Sequence, residues 1–222
     1  MALLVDSLRA RTCHNPAMAS SDVAIRTPLM AGAGFAAATI ISAIVSLTLF
    51  ILHLNQREPL IFDSVAAPIL SALIGFLGAA WLFRSLVDGL PFGAAFLIFP
   101  LLARTLYEMG RMIPYANAAL DLLISFYFAI LIPALATGLI GALAVWLMPR
   151  YRYAALKALG VFAIAGAFGG GAAPLISWLL AQMAAESAIA ATLSIYGEEL
   201  VRFSLAGAGL AWTLRRTARP TT

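Results

Sequence analysis

Polar residues punctuate this chain at long intervals, and the stretches between them are apolar on all sides. They show neither the one-sided stripe of a surface helix nor the alternation of a half-buried strand. Six stretches, 30–54, 65–83, 91–108, 117–148, 154–183 and 188–214, approach or exceed the roughly 20 apolar residues that carry a helix across a bilayer. The pattern predicts an all-α integral membrane protein with six transmembrane helices. Pro91 suits the first turn of the third helix. The fourth stretch is long enough to tilt, or to kink at Pro133. The sixth is interrupted by Glu198, Glu199 and Arg202.

Composition agrees. Of 222 residues, 63% are hydrophobic and 11% charged, whereas a soluble domain carries about 25% charged residues. The organisation that follows is a flexible cytoplasmic segment 1–29, one transmembrane domain 30–214 and a basic cytoplasmic tail 215–222. Residues 1–29 lack the apolar core of a signal peptide, so the first helix is expected to serve as an uncleaved anchor. Met18 offers an alternative start.

With six crossings, one side receives Arg9, Arg11, Arg26, Arg84, Arg150, Arg152, Lys157, Arg215, Arg216 and Arg219. The other receives Arg57 and Arg111 in its loops, and Arg104 and Arg202 stay inside helices. That asymmetry follows the positive-inside rule and predicts cytoplasmic termini in a bacterial-type inner membrane. The C-terminal arginines read as a stop-transfer and lipid-headgroup anchor. Cys13 is the only cysteine, and His14 and His53, the only histidines, lie on opposite sides of the first helix. No metal site or cofactor is expected, nor is a nucleic-acid surface.

Small residues mark packing faces. The first helix opens with the pairs Gly32/Ala36 and Ala33/Ala37, a spacing that lets helix backbones approach closely. They serve either packing within the chain or docking of another membrane subunit. In the fifth stretch, Gly169, Gly170, Gly171 and Pro174 read as a candidate helix break of the kind that lines transporter cavities, with packing alone as the other reading. The hexapeptide at 66–71 recurs at 172–177 with its fourth and fifth residues, Ile and Leu, transposed; in so alanine-rich a chain, that is weak support for an inverted repeat.

The candidate chemistry lies in charges at membrane depth, which are expensive unless paired or hydrated. Arg104 and Glu108 are four residues apart on one helical face, and Arg202 can pair with Glu198 or Glu199. Counted from Pro91, Arg104 lies about 20 Å into its helix, and Arg202 lies about 18 Å from Leu214. Asp121 sits one turn into the fourth helix, toward the same outer side. The expectation is that Arg104, Glu108, Asp121, Glu198, Glu199 and Arg202 line a periplasm-facing site for a small polar or charged solute. In that site the arginines would clamp a carboxylate or phosphate. The competing reading is a self-neutralising structural network in an assembly scaffold or other non-transporting subunit.

The layout resembles the substrate-binding S components of energy-coupling-factor vitamin transporters. These are small six-span proteins with cytoplasmic termini, an outward-facing pocket and a small-residue face on the first helix. The resemblance implies a transport role and makes Ala33 and Ala37 docking positions for a coupling subunit; no ligand motif accompanies it. A second, local resemblance joins Glu198-Glu199-Leu200-Val201-Arg202 to the EExxK and EExxxR signatures of PrsW-type and CAAX-type intramembrane proteases. Neither spacing matches fully, and no histidine follows Arg202 to complete a zinc site.

Overall fold

The structure is a computed structural model that describes residues 25–51, 65–111, 118–183 and 188–217, less some side chains near the helix ends. Within them every regular element is helical, with α1 (Pro28–Ile51), α2 (Ala67–Phe83), α3 (Leu86–Leu97), α4 (Phe99–Arg111), α5 (Ala118–Trp146), α6 (Ala155–Met183) and α7 (Ala188–Thr217). Helical windows within α1, α3–α4, α5 and α6 are long and apolar enough to cross a membrane, and α2 is a shorter apolar helix. The chain is a membrane-embedded, multi-pass protein. Its outer surface is what lipid requires, with Ile40, Ile44, Leu135, Leu139, Ile164 and Phe168 all exposed.

The helices close a ring. α1 packs on α2, α2 on α3, the α3–α4 arm on α5, α5 on α6, α6 on α7, and α7 back on α1. Neighbours run antiparallel. Ser42 of α1 meets Leu70 of α2, while Met30 meets Trp81. Gly169 of α6 lies against Arg202 of α7, and Val161 against Gly209. Gly32 and Phe35 of α1 lie against Ala208 and Gly207 of α7.

Short turns join the arms at one end. Arg84 takes a left-handed conformation (φ 55°) to close α2. Ser85 then caps α3 by accepting the Asp88 N–H at 3.2 Å. This end gathers Arg26, Arg84, Arg150, Arg152, Lys157, Arg215 and Arg216. Three tryptophans collect there too, each under an arginine: Arg26 lies 3.7 Å from the Trp81 ring centroid, Arg216 3.9 Å from Trp212 and Arg152 4.9 Å from Trp146. Amphipathic rings beside cations are the furniture of a membrane–water boundary.

From this end an aromatic column fills the ring. Tyr151 stacks on Phe83 at 5.3 Å, Phe83 meets Phe92 at 6.1 Å, Phe92 meets Phe96 at 6.4 Å, and Phe96 meets Phe203 at 5.2 Å. Phe35 and Phe162 flank Phe92, each at 6.5 Å. Such offset and tilted pairs add to the stabilisation from burial alone.

Three sequence expectations need correction. The third arm starts at Leu86, with Pro91 inside α3 and a one-residue interruption at Ile98, because the Ser85 cap begins the helix before the proline. The glycine run does not break α6, which is continuous from Ala155 to Met183. Its glycines are used for contact instead. A methyl group on Gly170 would strike the Ala129 carbonyl, and one on Gly169 would come 2.8 Å from Cβ of Arg202. Ala129 is four residues before Pro133, which has no N–H to offer that carbonyl, and Gly170 packs against it. Gly171 faces open space. Finally, the helix runs past 214 into the basic tail as far as Thr217.

Candidate functional site

On α7, Phe203, Ala206, Leu210 and Leu214 are fully buried at spacings of three and four, which defines the helix's inward stripe. Glu199 lies four residues before Phe203 and extends the stripe by one turn. Arg202 lies beside it, toward α6. Its guanidinium forms an ion pair with Glu198 one turn away. It also rests over the rings of Phe99 and Phe203, at 5.6 and 5.9 Å. Only 5% of Arg202 is exposed. Gly169 makes that burial sterically feasible, since any side chain there would collide with the arginine stem.

The contacts across the ring set a common level. Ser42 donates to the Leu70 carbonyl at 3.2 Å, Phe99 lies beside Arg202, and the hydroxyls of Tyr196 and Ser46 share a hydrogen bond. One cross-section therefore passes through Ser42, Ser71, Gly169 and the Glu199–Arg202 turn. Ser71 is three residues before the buried Ile74 and belongs to the inward stripe of α2. Below this level are the rings of Phe96, Phe99 and Phe203, which close the ring toward its basic end.

Three polar atoms at this level are buried with no hydrogen-bond partner among the described residues: Ser71 Oγ, Glu199 Oε2 and Arg202 Nε. Thr137 Oγ1, nearer the basic end, is a fourth. A buried, unmade hydrogen bond costs on the order of 1–3 kcal/mol, more for a charged group. Three such atoms on one layer make it the candidate site.

Not every expected residue belongs to this site. Arg104 and Glu108 are exposed. Arg104 opens onto a groove of about 500 Å³ on the outer face of α2 and the α3–α4 arm, lined by Ala67, Pro68, Leu97, Ile98, Pro100 and Leu101. Helix geometry gives the reason. Arg104 follows the buried Phe99 by five residues, a rotation of about 140°. Leu102, Ala103 and Leu106 take the inward face of α4 instead. Counted from the true start at Leu86, Arg104 is about 27 Å along its arm, at the far edge of a 30 Å hydrocarbon layer. Asp121 lies in the first turn of α5, and its side chain is outside the described residues, as is that of Pro174.

The small-residue face divides in the same way. Gly32 is buried against the Ser204 carbonyl of α7, where a methyl group would sit 3.0 Å away, so it serves packing within the chain. Ala36 is half-buried, and Ala33 and Ala37 are exposed.

Ser42, Ser46 and Ser71 are the members of this layer that sequence reasoning missed. A signal was present: Thr39, Ser42 and Ser46 recur at spacings of three and four in an otherwise apolar helix. No family model, curated protein or solved structure matches this chain, so the functional reading stands on the site's own geometry.

Proposed function

We propose that this is a six-span protein of a bacterial-type inner membrane, with cytoplasmic termini, that binds a small polar or charged solute within its helix ring as part of a transport process. The observation that carries the reading is the layer of three buried, unpartnered polar atoms, Ser71 Oγ, Glu199 Oε2 and Arg202 Nε, above an aromatic floor. Antiparallel closure of the ring supports the count of six, because the first and last arms of an up-and-down ring are antiparallel neighbours only when the number of arms is even. The concentration of arginines and tryptophans at one end supports assigning that end to the cytoplasm. The solute site then opens to the outside, as in the S-component plan.

Docking of a second membrane subunit is part of the same proposal. It rests on Ala33 and Ala37, which lie on the lipid-facing side of α1 with Ile40 and Ile44.

The scaffold reading retains one specific support: the Arg202–Glu198 pair lies within a single helix and neutralises itself without a ligand. Native mass spectrometry of the protein in lipid nanodiscs separates the two. The solute-binding reading predicts a copurifying small molecule on the wild type that is lost from Glu199→Gln. Ligand-free wild type, together with unchanged stability in Glu199→Gln, would leave the scaffold in possession.

A further inference from the structure

Charge balance in the polar layer points to the sign of the ligand. The sequence suggested arginines clamping an anion, but Arg104 faces outward on another arm and Arg202 is already paired with Glu198. One positive charge therefore stands against two carboxylates, Glu198 and Glu199, and the second carboxylate has no cation among the described side chains. Of the remaining basic residues in the described helices, Arg111 ends α4 at the opposite end, with its side chain outside the described residues, and the others lie at the basic end, beyond the aromatic column. A carboxylate at membrane depth stays ionised only beside a compensating positive charge and otherwise takes up a proton.

The surroundings of Glu199 suit a donor-rich cation. Ser71, more than nine-tenths buried, turns an unpartnered Oγ into the same layer and offers a second acceptor. The rings of Phe99 and Phe203, met edge to face, form the floor and lie beneath the Arg202 guanidinium. An anion would find only the unpartnered Nε of Arg202, and would approach two carboxylates to reach it. The charged and titratable groups described around Glu199 are Glu198, Arg202 and Tyr196, all on α7; α1 contributes Ser42 and Ser46, α2 Ser71, α4 Phe99 and α6 Gly169.

We propose that the solute is an organic ammonium ion whose nitrogen binds Glu199 and Ser71, with the Arg202–Glu198 pair as a neutral wall. This inference rests on the solute-binding reading and narrows it.

The test is the melting temperature of the purified full chain in nanodiscs, measured with methylamine, ethanolamine and 1,4-diaminobutane. Acetate, glycolate, inorganic phosphate and sodium chloride complete the panel. The expected result is saturable stabilisation by at least one amine, with affinity falling about 30-fold or more in Glu199→Gln, falling less in Ser71→Ala, and unchanged in Arg104→Ala. Glutamine keeps the size of Glu199 and removes only its charge, so this variant is expected to fold. Stabilisation by acetate, glycolate or phosphate, or by sodium alone, would overturn the ammonium assignment and leave the solute-binding reading standing. Absence of any response, with a Glu199→Gln melting temperature equal to that of the wild type, would overturn both.

Discussion

Arg104 and Arg202 each interrupt an apolar helix, yet they occupy opposite environments. Arg104 is exposed on the outer face of α4, at the edge of an apolar groove and about 27 Å from the start of its arm. Arg202 is buried in the ring, paired with Glu198, seated over two phenylalanine rings and accommodated by Gly169. Depth and azimuth make the difference. An arginine near the interface reaches water and headgroups with its own long stem, whereas one at mid-bundle depends on the protein for every partner. A charge in a hydrophobic run is thus a functional clue only when it is both deep and inward.

The largest predicted effect tests that contrast. Arg202→Ala strands Glu198 beside the already uncompensated Glu199 and should cost about 3–5 kcal/mol of stability, as loss of one partner of a buried pair does. Arg104→Ala should stay within about 0.5 kcal/mol, as at other surface positions. Unfolding of both variants by a steric-trapping or denaturant assay in lipid measures the difference. Equal costs would erase the distinction between the two regions.

A smaller effect tests how the glycine run of α6 packs. Gly170→Ala forces a methyl group into the Ala129 carbonyl and should destabilise by about 1–3 kcal/mol, the usual range for overpacking. Gly171→Ala points into open space and should be neutral. A hinge at this run would make both substitutions felt; a packing seam makes only the first costly.

The smallest effect belongs to the basic end, where the ring is closed rather than open. Burial raises the Tyr151 phenol above its ordinary 10.0, with the Arg150 charge opposing and the Asp88 charge adding to the rise. The folded state therefore favours the neutral phenol. This contribution to stability is complete below the ordinary value and is lost as pH climbs through the raised one. Melting curves across the alkaline range should show a decline in the wild type that is shallower in Tyr151→Phe. Superimposable alkaline declines would place Tyr151 in contact with water instead.

Much of this architecture was legible in the sequence because lipid allows few solutions. Apolar run lengths gave the helices to within a few residues, and the i,i+4 spacing of Glu198 and Arg202 gave their pair. What failed was position around the helix and along it. Taking Pro91 rather than Leu86 as the start of the third arm moved Arg104 inward by about 7.5 Å, enough to turn an interfacial residue into a buried one. Nothing local to α4 says which of its faces meets the ring, because the packing of Phe99 against Phe96 and Phe203 sets that azimuth. The glycine run was ambiguous for a related reason: a close contact and a broken helix need the same residue, and only the facing Ala129 carbonyl and Arg202 stem decide between them. Ser71 was invisible because a lone serine in an apolar helix ordinarily bonds its own backbone.

The central claim is that the layer of Ser71, Glu199 and Arg202 borders a space reachable by solutes, with the aromatic column as its floor. Cysteine accessibility tests it most directly, in a Cys13→Ser background, with a small charged thiosulfonate reagent added to sealed vesicles. Ser71→Cys is predicted to react from the side opposite the basic end, and faster in the absence of a binding amine than in its presence. Ile74→Cys, one turn deeper and only 1% exposed, is predicted to stay unmodified. Protection of both positions, in vesicles where an exposed control such as Tyr107→Cys reacts, would contradict the account.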